Sequence, residues 1–217
     1  DLQILFPYAE GKLIAESALR KATPLTWAYL AKNRKYLEDR ERGRMRKSGW
    51  YGYISPKALE VMSLPKIFTP DIAARAAFSL DEAGDVFFTG GVAGGYGILV
   101  SPHVSREYIL GLLNSKLLEW FIRQTATQMR GGYYSFESRF IKHLPIVLPE
   151  GGQMERLTSL AQQMLDLRRK QTAARTANEQ AILDRQVESL DRQMDAVVYG
   201  IYGLSDGDMA VVEAAIP

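Results

Sequence analysis

Guanidinium groups and aromatic rings are the chemistry this sequence concentrates. From Lys32 to Lys47, eight basic residues (Lys32, Arg34, Lys35, Arg40, Arg42, Arg44, Arg46, Lys47) stand against Glu38, Asp39 and Glu41. That stretch carries +5; the 217-residue chain is +2 overall, so the remainder is −3. Positive charge concentrated on a near-neutral body is the footprint of polyanion contact, because each cation that meets a phosphate releases condensed counterions. The same run also suits a solvated helix end and loop, which is what charge runs commonly are. Guanidinium groups pair with phosphates and match the O6/N7 edge of guanine in bidentate fashion, while rings beside them stack on exposed bases. Two segments mix these features: Arg40 to Tyr53, and Arg130 to Arg139 with Tyr133, Tyr134 and Phe136. Gly131 and Gly132 let the second segment approach a ligand closely, and Tyr133 and Tyr134 there suit binding and structure equally. Trp50 reads first as a core anchor. Lys66, between Pro65 and Ile67, is a snorkelling edge residue or a phosphate contact.

Catalytic chemistry is harder to find. The chain has no cysteine, which excludes disulfides, zinc fingers, iron–sulfur sites and thiol nucleophiles together. His103 and His143 are its only histidines and lack the spacing of a metal site. Gly90 to Gly97 has the glycine content of a phosphate loop, but Tyr96 follows Gly95 where a P-loop needs Lys and Ser/Thr. Its glycines read as tight turns between strands. No G-x-S-x-G elbow occurs. Glu10-Gly11-Lys12 has the spacing of a nuclease core without an acidic partner on a preceding strand, and Glu38-Asp39 and Asp81-Glu82 read as surface carboxylates. The expectation is a chain with no catalytic residue, no bound cofactor and no metal of its own.

These groups need a scaffold, and 47% hydrophobic with 24% charged residues is the composition of a soluble globular protein with a real core. No apolar run reaches the roughly 18 residues a membrane span needs. The start at Asp1, without a charged and then apolar leader, reads as a piece cut from a longer polypeptide. Ile4 to Phe6 and Leu13-Ile14 suggest two strands around a turn. Thr23 before Pro24 reads as an N-cap, opening a helix from Pro24 to about Arg40. Ile67 to Thr69 suggests a strand, and Ala77 to Leu80 with Val86 to Thr89 suggests a hairpin closed by a turn at 81–85. Ile98 to Val100 reads as another strand. Ser105 caps an amphipathic helix running to about Gln124. Ile141 to Leu148 reads as a terminal strand or extended segment. Pro149-Glu150-Gly151-Gly152 is the clearest boundary. Beyond it, Met154, Leu157, Ala161 and Met164, then Leu183, Val187, Leu190, Met194, Val197 and Ile201, keep helical spacing. The polar stretch between them predicts two antiparallel helices, with Gly200 and Gly203 ending the second and Ser205 capping a last short helix.

A family resemblance rests on particular residues. Tyr108-Ile-Leu-Gly-Leu-Leu-Asn114-Ser115-Lys116-Leu117, then Gly131-Gly132 and Leu144-Pro145-Ile146, resembles the TaqI-like C-terminal specificity domain of fused restriction–modification enzymes and adenine-specific DNA methyltransferases. Tyr29-Leu30, Tyr36-Leu37-Glu38-Asp39-Arg40, Trp50-Tyr51, Leu64-Pro65-Lys66-Ile67 and the tail from Asp195 to Ser205 agree with it. The resemblance implies a target-recognition module that grips double-stranded DNA and directs a methyltransferase domain upstream in the same polypeptide, with or without a nuclease. That domain would use S-adenosylmethionine and flip an adenine from the stack. Its Asn-Pro-Pro-Tyr motif is absent here; Leu5-Phe6-Pro7-Tyr8 is not that motif. Asn114-Ser115-Lys116 reads as structural, with Lys116 alone a candidate phosphate contact.

The resulting expectation is an α+β chain: a mixed sheet-and-helix recognition domain over 1–150 and a helical hairpin or spacer over 151–217. It would be cytoplasmic, off the membrane, and able to oligomerise through the C-terminal helices. Arg40, Arg42, Arg44, Arg46 and Lys47 would contact the DNA backbone, and the loop of Arg130, Tyr133 and Tyr134 would reach into a groove. The rival reading is a protein-interaction or assembly module whose hairpin binds a partner and whose basic stretch only solubilises it.

Overall fold

A computed structural model describes residues 4–89 and 94–216. Gly90 and Gly91, part of the glycine-rich run, lie outside the described residues. The chain is α+β, with short antiparallel strands and longer helices, and it folds as two compact units.

The first unit takes in Asp1–Leu64 and Ala83–Phe87. Its opening strands are shorter and later than the apolar runs suggested. β1 (Tyr8–Ala9) and β2 (Lys12–Leu13) pair around Glu10-Gly11, both at positive φ (48° and 74°), a turn that glycine at the second position makes cheap. α1 (Glu16–Ala22) follows and was not foreseen; the Thr23 hydroxyl donates back to its Leu19 carbonyl and does not cap the next helix. The helix expected from Pro24 is broken into α2 (Pro24–Lys32) and α3 (Arg34–Glu38) at Asn33, with a further tight turn, α4 (Arg40–Gly43). Leu19, Leu30, Trp50 and Tyr51 form the core of this unit, with Trp27 packed edge-on against both Trp50 and Tyr51. Trp50 is 2% exposed, so the core-anchor reading holds.

The second unit takes in Pro65–Glu82 and Phe88–Pro217. β3 (Lys66–Pro70) lies between β5 (Ser79–Asp81) and β6 (Gly95–Ile98), antiparallel to both, while β4 (Ile72–Ala73) pairs with β7 (Tyr134–Ser135). The expected hairpin between 77–80 and 86–89 is therefore not made: β5 pairs with β3 instead, and residues 86–89 form no strand. A buried ion pair fixes that register, with Lys66 Nζ 2.5 Å from Asp81 Oδ2 across the pair Lys66↔Asp81. Both side chains are almost wholly buried, so Lys66 is neither an edge residue nor a phosphate contact. The chain from 144 to 149, after the single turn α7 (Ser138–Ile141), forms no strand, and Ile146 N bonds back to Leu144 O at 3.0 Å.

Ser105 does cap α5 (Arg106–Leu113), its Oγ accepting from Tyr108 N. The helix stops at Asn114 and restarts as α6 (Lys116–Thr125), where Ser115 is the new N-cap for Leu118 N. One reason is Asn114, whose side-chain amide accepts from Phe78 N and donates to Phe78 O, both at 3.0 Å. Asn114-Ser115 thus holds core geometry, as its sequence context suggested, and Lys116 Nζ is paired with Glu213. α8 (Gln153–Ala173) and α9 (Ala177–Tyr202) form the expected hairpin, joined at Ala174–Thr176 and restarted by a Thr176/Glu179 capping box. Gly203, at φ 64°, ends α9, whereas Gly200 lies within it; Ser205 caps α10 (Asp206–Ala215). The apolar stripes of the hairpin are spent inside the unit. Leu157, Leu160, Leu190 and Met194 are buried, and a Cβ added at Gly111 of α5 would lie 3.1 Å from Leu157 and 3.3 Å from Met194. No described helix is long and apolar enough to cross a membrane.

Candidate nucleic-acid interface

The basic stretch begins in the first unit with an arginine turned inward. Arg40 Nε donates to Leu37 O at 2.8 Å, and its Nη2 to Trp50 O and Gly52 O at 2.8 and 2.9 Å. A guanidinium that spans three carbonyls of its own fold staples α3 to the Trp50 segment, with few donors left over. Arg46 is also engaged: its Nε and Nη2 both reach Asp39 Oδ1, at 2.9 and 2.6 Å. Arg34 bonds Glu38 and stacks over Trp50, 5.1 Å from the ring centre.

Between these tethered residues the backbone turns abruptly. Glu41, Arg42 and Gly43 take φ of 49°, 58° and 84°, three successive left-handed residues. For the two with a Cβ this costs roughly 1–2 kcal/mol each. The turn leaves Arg42 and Arg44 exposed on either side of Gly43, while Met45 is buried 4% exposed and anchors the return. Arg42, Arg44 and Lys47 are exposed and have no ion pair among the described residues. The same freedom holds for Lys32 and Lys35, which only the charge count pointed to. Among the described residues, Lys32, Lys35, Arg42, Arg44 and Lys47 are thus five exposed cations of this segment without an ion pair, with Glu41 exposed among them.

In the second unit, the segment around Arg130 is a small hairpin. Met129 N donates to Tyr133 O at 2.7 Å and Ser135 N to Thr127 O at 3.1 Å, while Phe136 N bonds Asp71 O at the root. Gly131 and Gly132 make the tip at φ 86° and 81°, and nothing lies within 4 Å of a Cβ added at Gly132. Tyr133, just before β7, is 46% exposed, whereas Tyr134, its first residue, is half-buried under the Arg123 guanidinium, 5.2 Å from its ring centre. Arg123 is held in turn by Glu119 and by the Ala74 carbonyl. The tip therefore offers Arg130 and Tyr133 outward, and Tyr134 supports it from within. These two groups and the unpaired cations lie in different units.

Among the described residues no three His, Cys, Asp or Glu side chains are placed to hold a metal ion. Asp71 is buried at the hairpin root, where desolvation, with Glu137 adding to it, raises its carboxyl above the usual range. Asp195 accepts from Lys116 N at 2.9 Å, so it caps α6 from α9 and is a packing group.

The family model of the TaqI-like C-terminal specificity domain matches residues 23–146, more than half of the chain. The chain is also 25% identical, over 225 aligned residues, to the type II restriction enzyme and methyltransferase RM.Eco57I of Escherichia coli. That alignment covers 96% of this chain and 22% of the enzyme, so the chain spans about a fifth of that relative's length. On the family match and on the residues that carry it, the chain belongs to the TaqI-like C-terminal specificity domain family.

Proposed function

We propose that this chain is the DNA target-recognition part of a restriction–modification enzyme or DNA adenine methyltransferase. In this reading the specificity domain over 1–150, where the family match falls, is followed by a helical hairpin over 151–217 that spaces it from its neighbours. The methyltransferase domain of the same polypeptide would lie upstream and hold S-adenosylmethionine; the relative that carries a methyltransferase is several times longer than this chain. No step of the chemistry is assigned to residues here. They bind, orient and select.

The observation that carries the reading is the cluster of exposed, unpaired cations, Arg42, Arg44 and Lys47, in a specificity-domain chain whose hairpin tip extends Arg130 and Tyr133. Phosphate contacts fix register and supply salt-dependent affinity, and base-edge contacts supply selectivity. Arg40 acts behind this surface, by stapling α3 to the Trp50 segment, while Arg46, paired with Asp39, stays exposed beside Arg44. The rival assembly reading lacks comparable support, because Leu190 and Met194, the residues on which it depends, are buried within the unit.

Selection of duplexes from a random pool by the 217-residue chain tests this directly. Enrichment of a common sequence is expected, and Arg130→Ala with Tyr133→Ala should relax the preference at specific positions. A retained pool with no enrichment after repeated rounds contradicts a recognition role.

A further inference from the structure

In the first unit, α2 and α3 bury one face and leave the opposite face uncovered. At 100° per residue, Trp27, Leu30, Arg34 and Leu37 fall on one side, against Trp50 and Tyr51. On the other side of α2 lie Leu25, Tyr29 and Lys32, within an arc of about 60°, and Tyr36 of α3 is exposed beyond Asn33. The three apolar members are 87%, 60% and 76% exposed. Single exposed apolar residues are ordinary, but Leu25 and Tyr29 share one stripe of α2, and Tyr36 is exposed in the helix that follows it.

Charge identifies what would cover this face. Between Glu16 and Glu38 the sequence has no acidic residue, while Arg20, Lys21, Lys32, Arg34 and Lys35 are basic. Lys32 is in the stripe itself and Lys35 beside it, both exposed and without an ion pair among the described residues. An acid-free helix face with tyrosines between lysines complements a polyanion. The major groove, about 12 Å wide, admits one α-helix. The Tyr29 and Tyr36 hydroxyls can donate to phosphate or accept from base edges, and Leu25 presents the kind of apolar surface that meets a thymine methyl.

We infer that the Leu25–Tyr29–Lys32–Tyr36 face of α2 and α3 is a second DNA contact surface, one that lies against a groove of the duplex. The inference rests on the DNA-recognition reading above and adds to it a set of residues outside both the Arg42–Lys47 turn and the Arg130 hairpin. Because the three apolar side chains are exposed, their replacement leaves the core intact.

The test compares wild-type chain, Y29A/Y36A, Y29F/Y36F and R42A/R44A, binding by fluorescence anisotropy to a pool-selected duplex and to random duplex. Y29A/Y36A is expected to weaken binding to the selected duplex at least tenfold, with unchanged melting temperature and salt slope. Y29F/Y36F, which keeps the rings, should lose less than Y29A/Y36A. If Y29A/Y36A binds the selected duplex within twofold of wild type while R42A/R44A loses affinity, the face is idle and only the parent reading stands. A wild-type chain that binds no duplex overturns both. So does, for this face, a loss of self-association on Y29A/Y36A with no change in DNA binding, which would make its occupant a second copy.

Discussion

Truncation of Arg40 to alanine removes the donor shared by the carbonyls of Leu37, Trp50 and Gly52. Charged hydrogen bonds of this kind contribute about 1.5–3 kcal/mol, so Arg40→Ala should destabilise the chain by about 2 kcal/mol in urea unfolding. Arg42→Ala, two positions on, removes an exposed and unpaired cation and should shift stability by less than about 0.5 kcal/mol. Equal losses from the two would contradict the division between staple and contact. Asp195 provides a pH-dependent counterpart. Burial pushes its carboxyl from 3.8 up to about 6, against the pull of the Lys116 N–H and charge. Between those values the folded chain holds a proton that the unfolded chain has released, so Asp195's contribution falls as pH rises through the window. Asp195→Asn keeps an Oδ1 acceptor for Lys116 N without an ionisable proton. Relative to wild type it should therefore gain about 2–3 kcal/mol on going from about pH 4 to pH 7. A constant difference across that range would show that the carboxylate is not desolvated.

Elements are fixed here by single polar residues at their junctions. Asn114 is the clearest case, since it ends α5 and ties the backbone of Phe78 to it. Asn114→Ala leaves the Phe78 N–H and carbonyl without those partners and should cost about 2 kcal/mol in chemical denaturation; a loss below about 0.5 kcal/mol would make the bracket dispensable. The apolar period runs unbroken from Tyr108 to Phe121, which is why the sequence suggested one helix where there are two. Two of three local caps were legible: Ser105 and Ser205 sit where their spacing put them, whereas Thr23 turns its hydroxyl back to Leu19. So were α8 and α9, whose apolar spacing and polar connection are also local signals. Strand partners were not. β5 takes its neighbour from β3, thirteen residues before it, through the Lys66–Asp81 pair, and no local pattern distinguishes that register from a hairpin with 86–89.

At the scale of the whole chain, the concentration of charge was legible and the surroundings of each arginine were not. Charge density pointed to the 32–47 stretch, but adjacent arginines in it look alike in sequence. Which ones face outward depends on the left-handed run at Glu41, Arg42 and Gly43, and nothing in a Glu-Arg pair announces positive φ. Tyr133 and Tyr134 divide for a simpler reason: Tyr134 begins β7 and pairs with Ala73, while Tyr133 lies before the strand, next to the glycine tip. The chain passes between the two compact units at Leu64–Pro65, Glu82–Ala83 and Phe87–Phe88, and no local composition marks the last two. The central claim is that unpaired cations of the first unit lie on DNA phosphates. A salt titration of binding to random-sequence duplex, comparing wild type with R42A/R44A, tests it most directly. The account predicts a steep log–log slope whose magnitude drops by about 2 in the variant, one released counterion equivalent per lost phosphate contact. The same slope in both proteins, or a wild-type affinity indifferent to salt, would contradict it.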